Sequence, residues 1–247
     1  MYLTKKVFIE KHTSAEGFLV QKDVHLVLAL DNEFFDKDSQ ITLMEGSNLE
    51  LLLINDKPTK PINLNILQQK NSSLKVLIIN SADNYNLDLR QQTLGPNCQF
   101  KAFGTTLNYG HSDSKIKIQS HLKHNNCQTF LSFKNVLQNH SKVDFFGLIE
   151  VSQEAENCDA FLENKNLLEN SNCRLKTEPI LQIYNPIVKA KHAATTGFLN
   201  TGQLFYLGSR GLNPDQAKHQ LVLAFCREIL KEVNILCYND RFREILD

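Results

Sequence analysis

A polar pair followed by an apolar residue recurs along most of this chain, and each occurrence opens a short apolar–polar alternation. The pairs occur in Ser47-Asn48-Leu49, Ser72-Ser73-Leu74, Pro96-Asn97-Cys98, Asn125-Asn126-Cys127, Glu156-Asn157-Cys158 and Asn170-Ser171-Asn172-Cys173. Further openings fall at Ile62, Leu87, Ile116, Val143 and Val188, so the steps run from 11 to 18 residues and settle at 15 in the last third. Runs such as Ile62-Asn63-Leu64-Asn65-Ile66 and Val143-Asp144-Phe145 have the period of a strand with one buried face. The Asn, Ser, Asp and Gly between them are turn formers. Short strands at even spacing suit a sandwich or barrel. A loose repeat with an equivalent small apolar residue in each step also suits a solenoid, in which each coil stacks on the last. Two steps then make one coil of roughly 24 to 31 residues. Cys98, Cys127, Cys158 and Cys173 would occupy equivalent inward positions. Their plain role is that of small hydrophobes filling a stack; the alternative is a ladder of metal ligands.

The pattern changes after residue 200. Leu204-Phe205-Tyr206-Leu207 followed by Gly211 predicts a short helix ended by glycine. Asn213-Pro214-Asp215-Gln216 predicts a second start, with Asn213 as N-cap, Pro214 first in the helix and Gln216 as reciprocal partner. Ala217, Leu221, Ala224, Phe225, Ile229 and Val233 then form an apolar stripe, with Lys218, Arg227, Glu228 and Lys231 away from it. A last short helix is expected over Asp240 to Leu246. These helices are too short for a core of their own and must pack on the solenoid or on a partner. The expected division is a β core over 1–198, least defined over 1–40, and a helical segment over 199–247.

Lys+Arg and Asp+Glu number 27 each, which gives no electrostatic reason to expect nucleic acid or an anionic membrane as partner. No apolar run approaches the roughly 20 residues of a membrane span. Met1-Tyr2-Leu3-Thr4-Lys5-Lys6 is followed by no apolar stretch with a cleavage site, so no secretion signal is expected. No cysteine lies in a C-x-x-C pair. Reduced thiols in a cytoplasmic setting are therefore expected.

Motifs of nucleophilic catalysis are absent: there is no G-x-S-x-G, no phosphate-binding glycine loop and no H-E-x-x-H. His121 and His124 are three apart, which in a strand sets them on opposite faces. His192 stands where an alternating segment, Ile187-Val188-Lys189-Ala190-Lys191, gives way to the small residues Ala193-Ala194-Thr195-Thr196-Gly197. Gln203 to Gly211 then sets Leu204, Phe205 and Tyr206 beside Arg210, a mixture common at protein interfaces. On composition alone His192 is a hydrogen-bonded structural residue.

The ordered set His192-Ala193-Ala194-Thr195-Thr196, Gln203-Leu204-Phe205-Tyr206-Leu207, Ser209-Arg210-Gly211 and Ala224-Phe225 resembles the C-terminal signature of the SufB/SufD family of iron–sulfur cluster assembly proteins. Gly147-Leu148-Ile149-Glu150-Val151 and the run from Asn166 to Pro179 share the likeness, which extends over about residues 110–230. The resemblance implies a right-handed parallel β-helix with helical ends. It implies a complex with a SufB-like subunit and a SufC-like ABC-type ATPase, in which a transient iron–sulfur cluster forms at the subunit interface. His192 is then the implied iron ligand. Leu204, Phe205, Tyr206, Arg210 and Phe225 lie in the helical region that would dock the ATPase, where the hydrolytic activity resides. Asn164 falls where SufB carries its cysteine, and no Glu follows His192; both favour the SufD side. Ala193 departs from the usual Gly of the motif.

Two other readings start from the same solenoid. A β-helix polysaccharide lyase or hydrolase would need clustered acids or a basic catalytic residue in a groove, and would release new double bonds or ends from pectin-like polymers. A purely structural or binding solenoid would use its C-terminal helices only as a cap and would capture no ATPase. A second copy of the chain is the other implied partner.

Overall fold

The computed structural model describes residues 4–6, 18–22, 25–31, 39–56 and 60–230. The strands β1 (Thr4–Lys6), β2 (Phe18–Val20), β3 (His25–Asp31), β4 (Ser39–Leu43) and β5 (Asn48–Asn55) begin the series. It continues with β6 (Ile62–Gln68), β7 (Ser73–Asn80), β8 (Asn86–Thr93), β9 (Gln99–Asn108) and β10 (Asp113–Leu122). The last coils hold β11 (Gln128–Leu137), β12 (Lys142–Val151), β13 (Cys158–Leu168), β14 (Arg174–Ile183) and β15 (Val188–Phe198), followed by α1 (Thr201–Ser209) and α2 (Pro214–Leu230). Odd strands form one parallel sheet and even strands another, so the chain alternates between two faces of a β-solenoid. The strand openings read from the turn pairs lie within a few residues of these starts.

Asparagine explains the repeat. Asn71, Asn97, Asn126 and Asn157 all hold a left-handed φ, between 54° and 60°, at the corner that precedes the odd strands. Asn tolerates that region better than other residues with a side chain. The corners are tied coil to coil: the Asn71 N–H donates to the Pro96 carbonyl at 2.9 Å, and the Asn97 side-chain amide donates to Asn71 Oδ1 at 2.9 Å. The opposite corner uses Asn84, Gly110 and Asn139 in the same conformation. Coils lengthen along the axis: Asn55 bonds Asn80, 25 residues on, while Asn135 bonds Asn166, 31 residues on.

Inward side chains stack in columns. One column runs Leu51, Val76, Ala102, Leu131, Leu162, all within the apolar core. Another is polar and buried: Asn55, Asn80, Thr106, Asn135, Asn166. Thr106 Oγ1 donates to Asn135 Oδ1 at 2.7 Å, and Asn135 Nδ2 donates to Asn166 Oδ1 at 2.8 Å. Asn166 Nδ2 passes the chain to Asn164 Oδ1 at 2.8 Å, which also accepts from Thr177 Oγ1 across the interior. Such a ladder satisfies every amide it buries, which is the condition for tolerating polar groups in a core.

Cys98, Cys127 and Cys158 stack at one corner, each just after a left-handed Asn. Cys173 does not join them. It sits at the opposite corner ahead of β14, its thiol donating to the Leu137 carbonyl at 3.3 Å, because each coil has two corners and Cys173 opens an even strand.

The helix α2 covers the outer face of the odd sheet. Val222, Cys226 and Ile229 pack there against Leu52, Leu77, Val136 and their neighbours. The capping box is as expected: Gln216 N–H donates to Asn213 Oδ1 at 2.9 Å and Asn213 N–H to Gln216 Oε1 at 3.0 Å. The buried stripe is rotated from the predicted one. Ala224 is exposed, and Val222 and Cys226 are the buried members beside Ala217 and Ile229. The sheet offers partners to charged residues too, so Lys218 and Glu228 face it rather than solvent alone. Val233, Lys231 and the helix expected over Asp240 to Leu246 lie outside the described residues. No helix among the described residues is long and apolar enough to cross a membrane.

Ion pairs of opposite sense pin the two ends of α2. Lys218 meets Glu169 at 2.8 Å near its start, and Glu228 meets Lys134 and Lys165 near its end. Lys134 is only 4% exposed at its side chain; it also donates to the Phe225 carbonyl at 2.7 Å and lies 4.7 Å from the Phe225 ring. The hydrogen bond from Lys134 holds the Glu228 carboxyl below its ordinary range, and that from Lys218 does the same for Glu169. Carboxyls lowered in the folded state stabilise it fully above the unfolded value of about 4.3 and lose that contribution as pH falls through the folded values. Hydrogen exchange of α2 amides should therefore be steady near neutral pH and accelerate, beyond its intrinsic pH dependence, in the acid range. Lys134→Ala should loosen α2 at neutral pH by about 1–3 kcal/mol. An unchanged α2 exchange rate in that variant would show that the apolar face alone holds the helix.

Candidate functional site

Among the described residues, the solenoid ends in an uncovered coil. Among the described residues β15 is the terminal strand of the odd sheet and β14 the terminal strand of the even one. Each therefore offers one backbone edge with no ladder partner, a ready template for another chain. Residues that would be core one coil earlier are open to solvent here. In β15, Ala190, Ala194 and Thr196 are exposed, though they stand in register above buried Ala160, Asn164 and Asn166.

His192 is the telling member. It stands in register with Leu162, which is fully buried, and so crowns the column of Leu51, Val76, Ala102, Leu131 and Leu162. An imidazole replaces an apolar side chain at the first level where, among the described residues, the core has no lid. It is exposed. The alternation that sequence showed before His192 is the pleat that aims it along the solenoid interior rather than sideways.

Around it the end coil mixes polar and apolar groups. The buried amide ladder surfaces here, where Asn166 Nδ2 donates to the Thr195 carbonyl at 3.2 Å and approaches Thr196 Oγ1 at 3.5 Å. Asn164, at the position where the resemblance places a cysteine in SufB, is fully buried one coil below and is held by Thr177 and Asn166. Tyr184 and Ile187 on the corner between β14 and β15, and Phe198 at the strand end, are 60%, 53% and 60% exposed. All three lie on the last coil among the described residues, Tyr184 and Ile187 before β15 and Phe198 at its end. Sequence reasoning passed over this rim because Tyr184, Ile187 and Phe198 continue the apolar pattern of earlier coils; what distinguishes them is that no coil follows among the described residues.

Helix α1 extends the surface. Asn200 caps it, accepting from the Gln203 N–H at 3.0 Å. Gly211, at φ 97°, lets the chain turn after it. None of its residues is buried. Leu204 is half-buried, Phe205 is 80% exposed and Tyr206 57% exposed. Arg210 lies 5.3 Å from the Tyr206 ring. Phe225 is placed differently from these four: it is half-buried in α2 beneath Lys134. His121, in β10, faces Glu150 at 3.6 Å on the outside of the even sheet, far along the chain from the end coil. Among the described residues no three His, Cys, Asp or Glu side chains gather as a metal site.

Comparison with known proteins places this architecture. The family model described as SUF system FeS cluster assembly, SufBD core domain, matches residues 2–225, which reaches well N-terminal of the segment that carries the sequence likeness. An iron–sulfur cluster assembly SufBD family protein of Synechocystis is 32% identical over 182 residues, covering 72% of this chain and 40% of that protein. The iron–sulfur cluster assembly protein SufD of Escherichia coli is 36% identical over 110 residues, covering 44% of this chain and 26% of that protein. A chloroplastic SufBD family protein of Arabidopsis thaliana is 27% identical over 135 residues, covering 55% and 24%. The chain thus spans less than half the length of these relatives. A two-sheet parallel solenoid, a match along nearly its whole length and these relatives lead to one conclusion: the chain belongs to the SufBD core family of the SUF iron–sulfur cluster assembly system.

Proposed function

We propose that this protein is a SufD-like, non-catalytic scaffold subunit whose uncovered end coil pairs with a SufB-like subunit, so that a nascent iron–sulfur cluster forms between them as cargo. The observation that carries the reading is the placement of His192: an exposed imidazole on top of an apolar column, at the end where both sheets present bare edges. A partner that continues the sheets would bury this coil and enclose His192 at the junction. Neutral imidazole is a borderline ligand suited to iron, and a cluster shared between chains is labile enough to pass on. Helix α1, with no buried residue and with Phe205 and Tyr206 exposed, supports docking of an ABC-type ATPase. Leu204 and Arg210 complete that surface, while Phe225 would act from α2 by holding it to the sheet. Movement of the ATPase subunits would then open and close the junction. A reducing, cytoplasmic setting fits the five described cysteines, all free thiols.

His192→Ala, co-expressed with a SufB-like subunit and the ATPase, should still purify as the complete complex yet accumulate no cluster, read as loss of the visible absorbance of the iron–sulfur chromophore. A variant that assembles cluster as well as the parent removes the ligand role. Phe205→Asp should separately cost ATPase retention while the SufB-like subunit stays bound. If the ATPase remains with the variant, α1 is not its dock.

A further inference from the structure

The corner column of cysteines plays no part in the scaffold reading. Cys98 and Cys127 each sit immediately before strands whose first residues, Gln99 and Gln128, pair in register. They therefore stand one above the other on adjacent coils, at the strand spacing of about 4.7–4.9 Å. Two metal–thiolate bonds of about 2.3 Å placed end to end are comparable with that backbone spacing. Cys158 follows Cys127 in the same column, so the thiols lie in a row, and no three His, Cys, Asp or Glu side chains among the described residues gather around one point. The donors are thus arranged in line, which disfavours the tetrahedral geometry of zinc and suits a two-coordinate, soft cation.

We propose that Cys98 and Cys127 form a linear dithiolate site for a thiophilic monovalent cation, copper(I) by chemical class, with the Gly95 carbonyl facing the metal from the side. That carbonyl oxygen lies 3.2 Å from Cys98 Sγ and 3.6 Å from Cys127 Sγ, so it flanks the gap where a cation would sit. The next gap lacks this feature: Cys158 Sγ lies against the His124 carbonyl at 3.4 Å, and Cys127 against that of Asn125 at 3.5 Å. Both thiols are buried, yet each follows directly on an exposed corner residue, Asn97 or Asn126, so the site is one residue beneath the surface.

The corner itself does not require sulfur. In earlier coils the same column is serine: Ser47 Oγ donates to the Met44 carbonyl at 2.7 Å and Ser72 Oγ to that of Gln69 at 2.5 Å. The hydroxyl ties the corner as the thiol does, and only the thiol can ligate a soft metal. Binding releases both thiol protons to solvent. Thiolates, not thiols, ligate the cation, so both protons must leave on binding.

The test is an anaerobic titration of the full chain with copper(I) in competition with the chromogenic chelator bicinchoninate. The parent, Cys158→Ser and Cys173→Ser should each retain a single copper(I) per chain. Cys98→Ser and Cys127→Ser should lose it while keeping the parent's circular dichroism, since serine is native to this column. Two variants protect the test should either fail to fold. The proposal is overturned if the parent yields all its copper to the chelator, or if the folded Cys98→Ser and Cys127→Ser proteins retain copper as the parent does.

Discussion

Asn135→Leu is expected to lower the stability of the solenoid by about 2–5 kcal/mol, because two buried partners are each left unsatisfied at about 1–3 kcal/mol and leucine recovers part of that through its apolar surface. Asn135 is fully buried and stands in the middle of the amide ladder. Its Oδ1 accepts from Thr106 and its Nδ2 donates to Asn166. Leucine has a similar volume but strands the Thr106 hydroxyl on one side and Asn166 Oδ1 on the other. Against the 5–15 kcal/mol that holds a typical domain folded, this is a large share. Asn135→Thr should be much milder, since Thr106 already fills the same column one coil earlier. Denaturant unfolding reads both: the midpoint should fall for the leucine variant at constant slope. A leucine variant as stable as the parent would mean that the ladder is a passenger and that apolar stacking alone sets the fold. The damage has a functional side as well, because the ladder continues through Asn166 and Asn164 to Thr177 at the coil that carries His192.

The solenoid was legible in sequence because its corners are chemically monotonous. A left-handed Asn followed by a small buried residue recurs once per coil, and that repeat gave strand openings within a few residues of those observed. The capping box at Asn213 and Gln216 was legible for a similar reason, since it depends only on neighbours in sequence. What could not be read is whatever depends on which coil lies above. The amide ladder joins residues 25 to 31 positions apart, and each of its members looks like another turn-forming Asn. Cys173 reads like the other cysteines because it too follows a polar, Asn-containing turn, although it opens an even strand. The α2 stripe was misplaced by its charged residues, for Lys218 and Glu228 look solvent-facing until Glu169 and Lys134 are seen beneath them. His192 drew attention through its motif, but the reason for its exposure, the absence among the described residues of a further coil above it, is visible only in the stacking.

The tightest packing in the interior offers a sharper test of the stacking. Gly104 pairs in register with Phe133 on the next coil. The Phe133 ring lies over the glycine so closely that a Cβ built at Gly104 would fall 2.3 Å from Phe133 Cε1. The column here runs Leu53, Ile78, Gly104, Phe133 and Asn164, so one coil gives up its side chain and the next uses the space. Phe133 also meets Phe145 across the interior, ring centroids 5.3 Å apart, which leaves it little room to withdraw. Gly104→Ala should therefore destabilise by about 1–3 kcal/mol or more, as overpacking does, despite placing a better strand former in β9. Phe133→Leu alone should also destabilise, by opening a void above the glycine. Combined, the two changes should cost less than their sum, because the new methyl occupies space that the smaller side chain vacates. A favourable coupling of about 0.5–3 kcal/mol in the double-mutant cycle is the expected signature of that contact. Strict additivity would mean that the coils do not stack in this register, and His192 would then no longer be fixed above Leu162 by the same ladder of β9, β11, β13 and β15.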